Sequence, residues 1–221
     1  FFCKLGLVMD DFRGKFWVFD DIIDKEYQEK IKNKLLSHET NWCYNHNINI
    51  NSDIEPRPCF SHRYFESVYN TNIHPSIASG NTLVYEETER SHLHDMLVPM
   101  IDASCRSVGY DYRYIIQGRS FLQLPLKGLS DQLDINHVDR KENHLVILYY
   151  VKDSDGDTII YQNRYQNKYY SVMYPEEKEI TKELKRVSPK QGRVVIFDGA
   201  FYHTAEQPQK DVRLIINYNV I

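Results

Sequence analysis

Apolar positions in the first half of the chain recur at helical spacing, and those in the second half come as short β-rich runs. Tyr27, Ile31 and Leu35 follow one another every four residues behind Asp24, an N-cap residue type, and predict a helix with one apolar stripe. A second stripe through Leu93, Leu97, Ile101 and Cys105 predicts a helix over about 91–108, with Pro99 expected to kink or split it. Phe16-Trp17-Val18-Phe19 reads as a short strand before an acidic turn. After Gly109 the texture changes, and strands are expected at 112–116, 120–124, 144–151, 158–162, 194–197 and 214–220. Residues 42–65, polar and rich in Asn and His with Pro56 and Pro58, read as loop or irregular strand.

This layout predicts a mainly β domain (α+β in class), a β-sandwich or barrel supported by N-terminal helices. A single domain over 1–221 is expected, with 1–110 as helical support and strands and 111–221 as the catalytic core. The composition is that of a soluble globular protein, 42% hydrophobic and 26% charged. The net charge of −4 and the lack of a basic stripe argue against a nucleic-acid partner. No apolar run approaches the roughly 20 residues of a membrane helix. The opening Phe1-Phe2-Cys3-Lys4-Leu5-Gly6 has neither a basic nor a long apolar region and does not read as a secretory signal. Cys3, Cys43, Cys59 and Cys105 are scattered and expected to be reduced thiols, so a cytoplasmic protein is the expectation.

The candidate chemistry lies in the β half. His137-Val138-Asp139 places an imidazole and a carboxylate at i and i+2, on one side of an extended segment, where they can grip one ion. One such pair is expected by chance in a chain with nine His and 31 acidic residues, so the pair alone decides little. Two residues nearer the C-terminus give it weight. His203 can supply a third ligand from a distant strand, and Arg213, ten residues further on, can grip a carboxylate. Two imidazoles and one carboxylate suit divalent iron and leave coordination positions open.

Other residues invite chemistry and are set aside. Asp153, Asp155 and Asp157 hint at a calcium loop, but Gly156 falls two positions early and Arg164 stands where a Glu is needed, so a hairpin turn is expected. His92 and His94 lie two apart in a helical pattern and are expected at the surface. His144 reads as a satisfied strand histidine.

With Asn136-His137-Val138-Asp139, Leu148-Tyr149-Tyr150-Val151, Asp155-Gly156-Asp157-Thr158, the run Gly192 to Asp198, His203-Thr204-Ala205 and Arg213 to Asn217, the chain resembles the 2-oxoglutarate- and Fe(II)-dependent dioxygenases, in their prolyl-hydroxylase-like branch. The resemblance covers about 112–221 and implies a double-stranded β-helix (jelly-roll, cupin-like). It implies Fe(II) on His137, Asp139 and His203, with 2-oxoglutarate as co-substrate, O2 as oxidant and ascorbate supporting activity. Those ligands and Arg213 form the implied catalytic set. Arg213 would take the distal carboxylate of 2-oxoglutarate, Tyr150 would donate a hydroxyl to it, Asn217 would line the pocket, and Thr158 would be a weaker contact. The carboxylate of Asp139 favours hydroxylation, since related halogenases lack it. The ten-residue spacing to Arg213 resembles prolyl hydroxylases rather than alkylation-repair demethylases.

A prolyl residue of a peptide or protein is therefore the first substrate expectation. A free amino acid or other small metabolite is the second, and a non-catalytic metal- or ligand-binding barrel the alternative of another class. Tyr165, Tyr169 and Tyr170, in a Tyr-rich stretch at 164–182, are the candidate substrate contacts. That stretch and 42–65 are both expected to border the iron mouth as lids.

Overall fold

The computed structural model describes residues 12–48, 55–69, 85–165 and 182–221. The chain runs β1 (Phe16–Asp20), α1 (Lys25–Leu35), β2 (Cys43–Asn45), β3 (Cys59–Tyr69), β4 (Tyr85–Arg90), α2 (His94–Ser107), β5 (Ile115–Gln123), β6 (Leu145–Tyr150), β7 (Thr158–Arg164), β8 (Glu183–Val187), β9 (Arg193–Asp198), β10 (Phe201–Ala205) and β11 (Arg213–Val220). The strands form two antiparallel sheets. The larger runs β1-β9-β6-β11-β5-β3-β2, with β4 also on β3, and the smaller runs β10-β7-β8.

Strand alternation explains how the layers stack. All eight residues of β11 are buried because it lies between β5 and β6 with both faces covered. Leu214, Ile216, Tyr218 and Val220 point to one side, where they meet Ile31 and Leu35 of α1 and Leu97, Met100 and Ile101 of α2. On the other side Ile215 joins Val146, Leu148 and Tyr150 of β6, Val195 and Phe197 of β9, and Ile160, Val187 and Phe201 of the small sheet. Arg213, Ile215 and Asn217 therefore share the face between the two sheets. This facing pair of sheets is the expected jelly roll.

The helices follow their sequence signals with two differences. Asp24 caps α1, its carboxylate accepting the Tyr27 N–H at 2.7 Å. Helix α2 runs unbroken through Pro99, which occupies an exposed position. His94 is not at the surface: it is 2% exposed and its Nδ1 lies 3.0 Å from the Tyr218 hydroxyl.

Of the two readings of 42–65, loop or irregular strand, residues 59–69 take the second: they form an eleven-residue strand, with register shifts where β4 and β5 pair with its two edges. Residues 153–157 link β6 of the large sheet to β7 of the small one instead of turning a hairpin. There Asp155 accepts the backbone N–H groups of Gln209, Lys210 and Asp211, tying that corner to the segment before β11. Strands β4 and β8 add to those expected, and β10 is the strand that carries His203. No helix among the described residues is long and apolar enough to cross a membrane. Cys43, Cys59 and Cys105 are free thiols.

Candidate metal centre

The segment carrying His137 belongs to no ladder. Two isolated bridges hold it, Leu133 to Glu206 and His137 to His203, the latter with reciprocal backbone bonds of 3.0 and 2.9 Å. That pairing brings the two imidazoles side by side, ring centroids 4.5 Å apart and planes tilted by 49°.

Each ring is oriented from behind. His137 Nδ1 lies 2.9 Å from the Ile135 carbonyl and His203 Nδ1 3.1 Å from that of Phe201. A carbonyl only accepts, so Nδ1 carries a proton in both rings and Nε2 is the nitrogen turned away from the carbonyl. Both Nε2 atoms approach Asp139, at 3.7 Å for His137 and 3.9 Å for His203. One ligand atom from each of the three lies within 4.8 Å of the others. Two imidazole nitrogens and a carboxylate oxygen fit a divalent transition metal with open positions.

The electrostatics keep the donors in the state a metal needs. Burial, together with the neighbouring His137 ring, pushes the His203 pKa down to about 4, so the imidazole is neutral at pH 7. Burial alone would push the Asp139 carboxyl up. Arg119, then the two imidazoles and Asn217, outweigh it and hold the group far below the usual carboxylate range. Arg119 Nη2 donates to Asp139 Oδ1 at 2.8 Å and Asn217 Nδ2 to Oδ2 at 3.0 Å. Asn217 thus orients the ligand carboxylate while lining the cavity.

Arg213 lies in the same cavity, whose volume is about 660 Å³. It is 3% exposed, and its guanidinium donates to the Gly156 carbonyl (2.9 Å), Gln123 Oε1 (2.8 Å) and Thr158 Oγ1 (2.8 Å). All three acceptors are neutral, and no carboxylate among the described residues lies within ion-pair distance of it. A buried cation is costly without a counter-charge, so this one is suited to an anion from outside. Gly156 makes the approach possible: its φ is +110°, and a Cβ there would meet the Glu206 carbonyl at 2.8 Å and Arg213 Cδ at 3.2 Å.

Thr158 lines the cavity beside Arg213. Tyr150 stands behind them, fully buried, with its hydroxyl donating to Thr158 Oγ1 at 2.7 Å rather than into the cavity. Tyr165 packs against the cluster of Val138, Ile159, Tyr161 and Tyr202, away from the cavity wall. Tyr169 and Tyr170 lie outside the described residues, as does most of the stretch 164–182. The other stretch does reach the cavity, where Cys43, Asn45, Cys59 and Ser61 of β2 and β3 form part of its wall. His144 is half satisfied: Nδ1 meets the Glu142 carbonyl at 2.7 Å, while Nε2 is buried without a partner against Gly199.

Two cavity residues, Arg119 and Gln123, went unread in the sequence. Both face inward by alternation along β5, together with Phe121. Extending the strand back from 120 and noting an arginine on its inward face was the available signal.

No family model matches the chain, and no curated protein matches it in sequence. Solved structures match it in fold. An oxidoreductase of the 2OG-Fe(II) oxygenase family from Burkholderia pseudomallei superposes with a TM-score of 0.59 at 10% identity, covering 93% of this chain and 84% of the other. A Trichoplax adhaerens prolyl hydroxylase, in complex with a hypoxia inducible factor peptide fragment, gives 0.51 at 13% identity, over 93% and 83%. HygX from Streptomyces hygroscopicus, with nickel, 2-oxoglutarate and hygromycin B bound, gives 0.51 at 11% identity, over 93% and 82%. The chain shares its jelly-roll fold with these structures.

Proposed function

We propose that this chain is an Fe(II)- and 2-oxoglutarate-dependent dioxygenase that hydroxylates its substrate, with a prolyl residue of a peptide or protein as the first candidate. The observation carrying this reading is that the His137–Asp139–His203 cluster and the unpaired cation of Arg213 open into one cavity. The metal would be held by the two Nε2 atoms and the Asp139 carboxylate. The distal carboxylate of 2-oxoglutarate would sit on Arg213, with the Thr158 hydroxyl beside it. When bound, the iron and keto acid supply the oxidising chemistry, in which O2 and 2-oxoglutarate yield succinate, carbon dioxide and an oxidised substrate, with ascorbate supporting turnover.

The chain's own residues do the positioning. The Ile135 and Phe201 carbonyls fix the imidazole tautomers, Asn217 and Arg119 hold the plane of Asp139, and Gln123 and Thr158 hold the Arg213 guanidinium. The two halves of the chain act as one domain in this reading, since β3 of the N-terminal half pairs with β5 and contributes to the cavity wall. The ten-residue spacing from His203 to Arg213 and the peptide-bound fold neighbour favour a prolyl substrate. The neighbour holding hygromycin B supports a small metabolite as the second reading.

The test is mass spectrometry of a proline-peptide and metabolite panel incubated with protein, Fe(II), ascorbate and 2-oxoglutarate. A gain of one oxygen that needs both iron and keto acid is expected. Absence of any succinate formation would make the site a binding module.

A further inference from the structure

Arg119 is the cavity cation that neither the metal ligands nor the co-substrate anchor accounts for. The other arginines near this wall are neutralised locally. Arg57 is buried against Asp134 at 2.9 Å, and Arg63 pairs with Glu89 at 2.9 Å. Arg119 reaches Asp139, but that carboxylate is the proposed metal ligand.

With metal and keto acid in place the charges nearest the site balance. A divalent iron, the Asp139 carboxylate, the two carboxylates of 2-oxoglutarate and the Arg213 guanidinium cancel one another. The positive charge of Arg119 is left over on the cavity wall. Its side chain is 28% exposed, so part of the guanidinium faces the cavity, while Nε is buried with no hydrogen-bond partner. The guanidinium also lies over the Phe121 ring, 5.2 Å from its centroid. Stacking on that ring holds the group in place before any ligand arrives, which lowers the ordering cost of binding.

We propose that Arg119 is a substrate-binding residue that selects a substrate carrying a carboxylate next to the carbon to be oxidised. The proposal rests on the metal and co-substrate reading. It names a shared chemistry with two sources: the α-carboxylate of a free amino acid, or an acidic side chain beside the target residue in a peptide. A carboxylate there accepts from the outer edge of the guanidinium while Asp139 keeps its bond to Nη2, so one arginine ties substrate to metal ligand.

The probe is propionate, with propionamide as its neutral counterpart, added to the full chain loaded with Mn(II) and 2-oxoglutarate. Separate titrations of Mn(II) and of 2-oxoglutarate come first, and failure to bind either overturns the underlying reading. With both bound, a carboxylate on Arg119 lies beside the paramagnetic ion. The propionate proton lines should broaden saturably and the propionamide lines should not. Arg119→Met should weaken that binding by about tenfold or more, the scale of one charge-assisted hydrogen bond. Arg119→Lys, which keeps the charge, should retain most of it. Equal behaviour of propionate and propionamide, or of wild type and Arg119→Met, overturns the proposal, because the acid would then sit on the metal or nowhere. The source is read by displacement. L-proline displacing propionate where L-prolinamide does not assigns a free α-carboxylate. An end-capped Pro-Glu dipeptide doing so where Pro-Gln does not assigns an acidic side chain. Displacement by neither acid overturns the substrate assignment.

Discussion

Arg213 has the clearest single-residue consequence, because a buried guanidinium held only by neutral acceptors lacks the anion its environment calls for. Arg213→Ala should raise the 2-oxoglutarate requirement by about 2–4 kcal/mol, the scale for truncating one partner of a buried charge pair. Metal affinity, measured separately, should be nearly unchanged, since Arg213 touches none of the three ligands. Tyr150→Phe should cost less, about 0.5–1.5 kcal/mol, because the lost hydroxyl steadies Thr158 rather than meeting the cavity. An equal loss in the two variants would mean that Tyr150 itself reaches the ligand. At this scale the gathering of His137, Asp139, His203 and Arg213 around one cavity was legible, because residue type and order carry it along the chain. The partners of Asp139 were not. Arg119 and Asn217 meet that carboxylate only because β5 lies beside β11, with Arg119 opposite Asn217 in register. A pairing between strands about a hundred residues apart leaves no mark in either segment alone.

The link from β6 to β7 is the element on which the anchor depends. Gly156 there presents its carbonyl to Arg213 from a backbone conformation that L side chains avoid. Gly156→Ala should destabilise the protein by about 1–3 kcal/mol through strain and crowding. It should also weaken 2-oxoglutarate binding, because Arg213 Cδ must move. Thermal unfolding and a 2-oxoglutarate titration on one preparation check both, and an unchanged titration would uncouple the link from the anchor. Helix α1 was legible because its stripe and cap agree. Strand β3 was legible only as one of two readings, since Ser61, His62, Arg63 and Glu66 suit a loop as well as an irregular strand. They tolerate a strand because β3 faces the cavity on one side and gains neighbours on both edges. Pro99 does not split α2, for a related reason. An exposed proline in a helix fixed by buried Leu97, Met100 and Ile101 loses one bond without breaking the element.

For the whole molecule, burial of neutral histidines makes stability depend on pH. His94, His144 and His203 all have pKa values lowered by burial, His203 to about 4. The unfolded chain, near pKa 6.5, binds protons that the folded chain refuses, so stability is complete above about pH 6.5 and falls as pH drops toward 4. Metal-free protein should show its unfolding temperature falling across that window, and a flat profile would mean that these rings open to water. Strand rhythm pointed to a β-sandwich or barrel, and the family resemblance implied the jelly roll. The sheet order was not, because non-sequential neighbours such as β9 with β6 and β11 with β5 are set by packing. One site that takes a metal and a keto acid together is the central claim. Adding 2-oxoglutarate to the Fe(II)-loaded protein without oxygen, and monitoring visible absorption, tests it directly. A charge-transfer band should appear that needs both components, saturates with 2-oxoglutarate and is lost in His203→Ala. If wild-type protein binds iron and 2-oxoglutarate but gives no band, the two do not share a site and the claim is wrong.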